Sequence, residues 1–566
     1  MSTRTARLLT ILPTLLVFVF SVKAGDPERS YRLPMDVAPV LSANFGELRE
    51  NHFHSGVDFK TQGVVGHAVR SVADGCVSRI GVRKYGYGKA VYIDHPDGHT
   101  SVYAHLDRLS PRLERVLRDS QYRAESYLVD LYFANGQLPV QQGELIAYSG
   151  NTGGSGGPHL HFEIRDTQSE DILDPLWWFA SRIPDREAPR ILALAFYQEG
   201  GKRIIPVKDN CLQEEPPTLW GKLGLGLKAY DYMSGTRNLY GVQLLRLFLD
   251  DKEIFRRGMS RFSFADSRYV NYVCDYEEWV LRRQWIMKSF YPRSGYGMVD
   301  INEERPYRFR YELSDRHGNC CSLSFVVQGS RAGAAAQATA AAAATAAARP
   351  LPRPARPCPA IYPHTLIYPQ AIIHLPLGSL YDDCAFSFSS EPAPRREAAR
   401  ACSPVYRLHQ ASTPLHRKID IALKIEQDRL ANKKQYYLAY HNRKQAWEYI
   451  EANYNEGWMS AQTNRLGDYM VLVDTIAPKI SMGNIVNDLK NDLIRIHIKD
   501  TESDIAHYQV YIDGHWALFE DDYKNDAIFY RIDGQALQRT GQQHRINVQV
   551  WDHCGNLAEK EISFIY

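Results

Sequence analysis

Apolar and polar positions alternate along much of this chain, which is the period of half-buried β-strands. Short alternating runs at 89–93 and 101–104 flank Asp94, His95, Pro96, Asp97 and Gly98, a hairpin connection by composition. Runs at 436–440 and 469–473 have the same character. A more helical stretch, centred on Leu113, Val116 and Leu117, interrupts the first region between 111 and 136. The pattern predicts a mainly β, multi-domain chain.

The order of these runs divides the chain. Residues 30–180 are dense in Gly and His; 185–329 and 474–566 look like copies of each other. Asp185, Ala188, Pro189 and Ile191 are echoed by Asp474, Ala477, Pro478 and Ile480. Near the ends of the copies, Asp315, Gly318 and Asn319 are echoed by Asp552, Gly555 and Asn556. A strand-rich internal repeat reads as two Ig-like β-sandwiches, the first carrying an insertion or an extra hairpin. Between the copies, 330–364 is an Ala/Pro-rich linker and 365–473 a further β-rich module.

Residues 1–24 read as targeting, with Arg4 and Arg7 before an apolar run from Leu8 to Phe20 and a small-residue cleavage site at Ala24. That run is shorter than the roughly 20 residues of a spanning helix. The expectation is an exported protein of the periplasm or cell envelope with no integral membrane segment after cleavage.

Composition then narrows the function classes. At 566 residues, with 44% hydrophobic and 23% charged residues, the chain is globular and long enough for several domains. Lys+Arg at 67 against Asp+Glu at 65 gives no basic surplus, so no nucleic-acid partner is expected. The 35 Tyr and 21 Phe suit pleated surfaces. Nine cysteines contain no CxxC pair, so zinc-ribbon and thioredoxin readings lack support.

The candidate chemistry lies in histidines. On a strand, His159 and His161 project from one face while Leu160, Phe162 and Ile164 face the core. His54 and Asp58 stand four residues apart across Gly56, and His105 follows another strand. An Asp with several neutral imidazoles suits Zn²⁺ with one position left open. Gly153, Ser155 and Gly157 match a nucleophile elbow literally, but Pro158 and a His-bearing strand follow where a helix is required. The two Asp-x-x-Gly-Asn turns, as isolated turns, lack the ligand count for calcium. His507 and His544 read as surface residues.

Taken in order, these elements resemble the M23 family of lysostaphin/LytM-type zinc endopeptidases. The resemblance runs from His54, Gly56 and Asp58 through Ala73, Asp74 and Gly75, then Gly86 and Gly88, then Tyr103, Ala104 and His105. It ends on Gly150, Gly153, His159, His161 and Glu163. It implies an antiparallel β peptidase domain at 30–180 that holds one Zn²⁺ with His54, Asp58 and His161. It makes His105 and His159 the catalytic pair, one activating or orienting the attacking water and the other stabilising the oxyanion. Tyr103, Asn151 and Ser155 are expected to line the substrate groove, and His52, His67, His95 and His99 to be structural or solvated. The long segment between His105 and Gly143 is expected to build one wall of that groove. The implied function is zinc-dependent hydrolysis of amide bonds in peptidoglycan stem peptides or cross-bridges. The alternatives are a catalytically silent activator of another wall hydrolase, or a zinc peptidase acting on proteins. An envelope protein partner for the Ig-like modules is a further expectation.

Overall fold

A computed structural model describes residues 31–566 apart from 200, 334, 336–354, 484, 533 and 535. Residues 1–24, expected from the sequence to be a targeting segment, and most of the expected Ala/Pro-rich linker lie outside the described residues. The fold is mostly antiparallel β. No helix among the described residues is long and apolar enough to cross a membrane.

The first unit is built on β1 (Leu41–Ala43), β2 (Val57–Lys60), β3 (Gly75–Val82), β4 (Lys89–Asp94), β5 (His99–Ala104), α1 (Pro111–Ala124), β6 (Val129–Tyr132) and β7 (His159–Asp166). Its main sheet runs β1-β2-β7-β5-β4-β3-β6. The β4–β5 hairpin closes at 94–98, with the His95 amide donating to the His99 carbonyl and Gly98 at φ 85°. Alternation decides which side of each strand is buried. Val57, Phe59, Leu160, Phe162 and Ile164 enter one apolar core with Tyr103, so the residues between them are free for chemistry. The register sets His161 opposite both Asp58 on β2 and Ala104 on β5. Directly opposed residues stand about 5 Å apart at Cβ, within reach of a shared ligand.

Helix α1 starts on Pro111 and ends where Glu125 adopts left-handed backbone. It buries Leu113, Leu117 and Gln121, one turn apart each time. Strand β6 then pairs with β3 at the far edge of the sheet. Within the segment between His105 and Gly143, this strand extends the edge remote from β2 and β7. The helix of that segment meets the last unit, with Tyr122 set edge-on against Trp516 at 5.3 Å.

The remaining chain forms three pairs of facing sheets. In 185–329 two sheets share a core that includes Leu194, Leu225, Leu247 and Phe309. The strand Pro306–Ser314 shows the alternation plainly, burying Tyr307, Phe309, Tyr311 and Leu313. Two five-stranded sheets close over Ile373, Ile421, Leu438 and Val471. In 474–566 two four-stranded sheets enclose Ile494, Ile496, Val548 and Val550.

All three of these units reach the first; the 365–473 unit does so through Arg443, which meets Glu50 of the first unit at 3.1 Å. The strand Arg261–Phe262 adds to its main sheet through Ile172–Leu173, and the Tyr240 hydroxyl donates to the Leu41 carbonyl at 2.9 Å. From the last unit, Glu520 meets the buried Lys89 at 3.5 Å and Arg531 meets Asp107 at 2.9 Å.

Candidate metal centre

Three acceptor atoms converge on one point. His54 Nε2 lies 3.0 Å from Asp58 Oδ1 and 3.1 Å from His161 Nδ1, and the latter two atoms are 2.8 Å apart. Each imidazole has its other nitrogen committed as a donor. His54 Nδ1 meets the Asn44 carbonyl at 2.7 Å, and His161 Nε2 meets Glu163 Oε1 at 2.8 Å. A carbonyl and a carboxylate only accept, so in the neutral imidazoles the lone pairs of His54 Nε2 and His161 Nδ1 face Asp58, and only an added proton or a cation lets these atoms meet. All three residues are buried. Such a convergence demands positive charge, and its spacing is near the ~3.3 Å edge of a tetrahedron with 2.0–2.1 Å bonds. His54, Asp58 and His161 can therefore hold a metal ion.

The electrostatics carry the same demand. Burial works against ionisation of Asp58, yet the charge of His54 and hydrogen bonds from both histidines hold it well below the usual carboxylate range. Burial would lower His161, but Asp58 and Glu163 outweigh it and push the imidazole up to about 9. Arg49 reaches the second Asp58 oxygen at 3.4 Å.

His105 and His159 flank this point. Their rings are 4.8 Å apart, and that of His105 is 5.8 Å from His161. His105 Nδ1 donates to the Thr152 carbonyl at 2.8 Å and His159 Nδ1 to the Gly157 carbonyl at 2.8 Å. Both therefore keep Nε2 as the free nitrogen, and His159 Nε2 is 3.5 Å from Asp58 Oδ1. Burial, then the neighbouring histidines, depress His105 to about 3. Burial also lowers His159, so both are neutral bases at physiological pH. His105 has left-handed backbone, φ 60°, which is uncommon outside Gly and a form of strain often kept at functional sites.

The expected groove residues fare differently. Tyr103 is fully buried, with its hydroxyl bonded to the Val72 amide and Ser101. It stands opposite Phe162 and shares that residue's core-facing side, so it does not line a groove. Ser155 is buried and sits 3.1 Å from His159 Nδ1, inside the loop that orients this ring. Asn151 is bridged by Lys524 of the last unit through both its carbonyl and its side-chain oxygen. His52 is exposed, while His67, His95 and His99 bond to Thr61, Asp74 and Asp97 away from the centre. His507 stacks on Trp551, and His544 pairs with Asp513.

A supporting layer went unread in the sequence. Glu163, fully buried, accepts from His161, from Tyr87 at 2.6 Å and from Arg165 at 2.8 Å. Its carboxyl is penalised by burial but held far below the ordinary range by Arg165 and His161. The signal was available, since the period of two that aligns His159 with His161 continues through Glu163 to Arg165. Asn44, which aims His54, is pinned on both amide atoms by the Gly241 backbone of the second unit.

Comparison with known proteins bears on this geometry. Residues 52–122 and 125–175 match peptidase family M23, and 363–474 match the Zu5-like domain. Over 112 residues the chain is 37% identical to the DD-carboxypeptidase/endopeptidase Mpg of Neisseria meningitidis serogroup B (strain ATCC 13091 / M2091), covering 20% of each. It is 33% identical over 155 residues to the peptidoglycan DD-endopeptidase ShyB of Vibrio cholerae serotype O1, covering 26% of this chain and 30% of that relative. It is 31% identical over 145 residues to the murein hydrolase activator NlpD of Salmonella dublin, with the same coverage. The match thus spans well under half the length of these relatives. Residues 52–175 of this chain are a domain of peptidase family M23, and a Zu5-like β domain follows it.

Proposed function

We propose that the chain is an exported zinc-dependent endopeptidase that hydrolyses amide bonds in peptidoglycan stem peptides or cross-bridges. The observation that carries this reading is the convergence of His54 Nε2, Asp58 Oδ1 and His161 Nδ1 beside two neutral histidines with free Nε2 atoms. Two nitrogens and one carboxylate oxygen suit Zn²⁺, which when bound supplies Lewis acidity towards a carbonyl and lowers the pKa of water. His54, Asp58 and His161 would hold the ion. Through Nε2, His105 or His159 would accept the proton of the attacking water, and the imidazolium so formed would donate to the developing oxyanion before passing that proton to the leaving amine. The Thr152 and Gly157 carbonyls fix the ring orientations that this requires.

The Mpg and ShyB relatives support a peptidoglycan substrate. A second reading is favoured by the NlpD match: an activator of another wall hydrolase, with the 185–329 and 474–566 sandwiches as Ig-like modules that dock an envelope protein. Zinc analysis of the purified chain, followed by digestion of purified sacculi, separates the two. About one zinc per chain, lost in His161→Ala, together with released muropeptide fragments, supports the enzyme. Folded protein that releases nothing from sacculi by itself but accelerates a second hydrolase supports the activator.

A further inference from the structure

Two carboxylate clusters stand outside the metal centre, and they occupy the same three places in the two repeated sandwiches. Asp185 and Asp474 open the Asp-x-x-Ala-Pro segments that lead into the strands Arg190–Gln198 and Lys479–Met482. Asp231 and Asp500 directly follow the strands Gly221–Tyr230 and Leu493–Lys499. Asp315 and Asp552 begin the Asp-x-x-Gly-Asn turns. The turns are built alike: Asn319 donates its backbone amide and its side-chain amide to the two oxygens of Asp315 at 2.9 and 2.7 Å. Asn556 does the same for Asp552, at 2.8 Å for each. As isolated turns these lacked ligands. Folding supplies them from two further strands.

The distances fit a large cation. Ligand atoms of Asp474, Asp500 and Asp552 all lie within 4.8 Å of one another, as do those of Asp185, Asp315 and His317. Two oxygens on one calcium ion, each at 2.3–2.6 Å, stand at most about 5 Å apart.

The first cluster also holds buried oxygens with no partner. Asp231 is 4% exposed and its Oδ1 bonds to nothing; the Asp185 side chain is 1% exposed and its Oδ2 bonds to nothing. Both residues line one small cavity with Asp315 and His317. The nearest guanidinium, Arg316, is committed to Asp174 at 2.7 Å and lies over the Trp177 ring. His317 spends Nε2 on the carbonyls of Ala180 and Ile183, which leaves Nδ1 facing Asp185 Oδ2 at 3.8 Å. Buried carboxylates so placed need a proton or a cation.

We propose that Asp185, Asp231 and Asp315 bind one calcium ion that fixes the 185–329 sandwich to the unit before it. The equivalent trio of the last unit is already partnered, Asp474 by Ile476 and Ser503, Asp500 by the amides of Glu502, Ser503 and Asp504, and Asp552 by Asn556. Hard carboxylate oxygens select calcium over softer ions, and the irregular geometry disfavours magnesium. The site lies at a unit junction, where His317 reaches Ala180 and Ile183 at the end of the first unit. The proposal stands independently of the peptidase reading.

The test uses the full chain, stripped with chelator and titrated with calcium, magnesium or zinc alone. Calcium is expected to bind at one ion per chain and to raise the melting midpoint by at least a few degrees at saturation. Asp315→Asn is expected to lose that response. Because this variant disturbs a turn, Asp231→Asn serves as a second. Removing repulsion should stabilise it without calcium while abolishing the response. Folded wild-type protein that binds no calcium, or stabilisation by these Asn variants with no calcium response in wild type, overturns the proposal in favour of shared protons. Zinc binding at these residues in place of calcium, lost in His317→Gln, overturns the choice of ion.

Discussion

The Tyr523 hydroxyl donates to the Gly153 carbonyl at 2.9 Å, across 370 positions of chain. Tyr523 also sets its ring edge-on to Tyr85 at 4.9 Å, and its neighbour Lys524 bonds Asn151. The last unit therefore grips the loop whose Thr152 and Gly157 carbonyls orient His105 and His159.

Loosening that grip tests its role. The Tyr523→Phe, Lys524→Ala double variant should lose about three- to tenfold in kcat on a soluble muropeptide, the worth of a hydrogen bond or two. KM and the melting midpoint should change little. A gain in rate would show instead that the last unit restrains the site.

Glu163→Gln keeps the shape but removes the charge between His161 and Arg165. Breaking a buried pair from one side costs about 3–5 kcal/mol, and removing a partner of a metal-binding histidine weakens metal affinity by about 10–100-fold. Urea unfolding and chelator competition for zinc should show both losses. A variant with wild-type zinc affinity would reduce Glu163 to a packing residue.

Chemistry and folding are separable at His105. Asn tolerates the left-handed backbone there, so His105→Asn should keep the melting midpoint while activity falls by about 10²–10⁴-fold. His105→Val should lose activity and also destabilise the fold. Retained turnover in the Asn variant would remove His105 from the proton chemistry.

Acid should unfold the protein through its neutral histidines. His105 is depressed to about 3 and His409, by burial, to about 4. The unfolded chain thus binds more protons than the native one between pH 6.5 and these values. The stability that these two histidines contribute is full above pH 6.5 and is lost as pH falls through that window. His409 Nδ1 accepts the Ser387 amide at 3.2 Å, a bond that protonation destroys. Urea midpoints between pH 3 and 8 should fall on the acid side, and His409→Gln should flatten the slope.

The ligand frame was legible because it is local: His54 and Asp58 sit across one glycine, and a period of two sets His159 beside His161. The same rule, carried two steps further, reaches Glu163 and Arg165. It also places Tyr103 in the core, because that residue pairs with Phe162 and not with His161. Non-local pairing left no such trace. Nothing in the run 129–132 says that it joins the far edge of the sheet, and nothing near Gly153 announces Tyr523. The aspartates of the repeats were visible as isolated turns, but their convergence depends on strands that meet only in the folded sandwich.

Lys89 is 2% exposed, and its ammonium lies between the Asp107 carbonyl and Glu520. Proteolytic clipping ahead of the last unit would strip away that carboxylate together with Arg531, Tyr523 and Lys524. A fragment ending near residue 473 would keep His54, Asp58 and His161, yet carry a stranded charge beside β4 and a loop beside His105 and His159 without its anchor. For this chain, a minimal peptidase defined by sequence similarity alone is a different molecule from the one that the whole polypeptide builds.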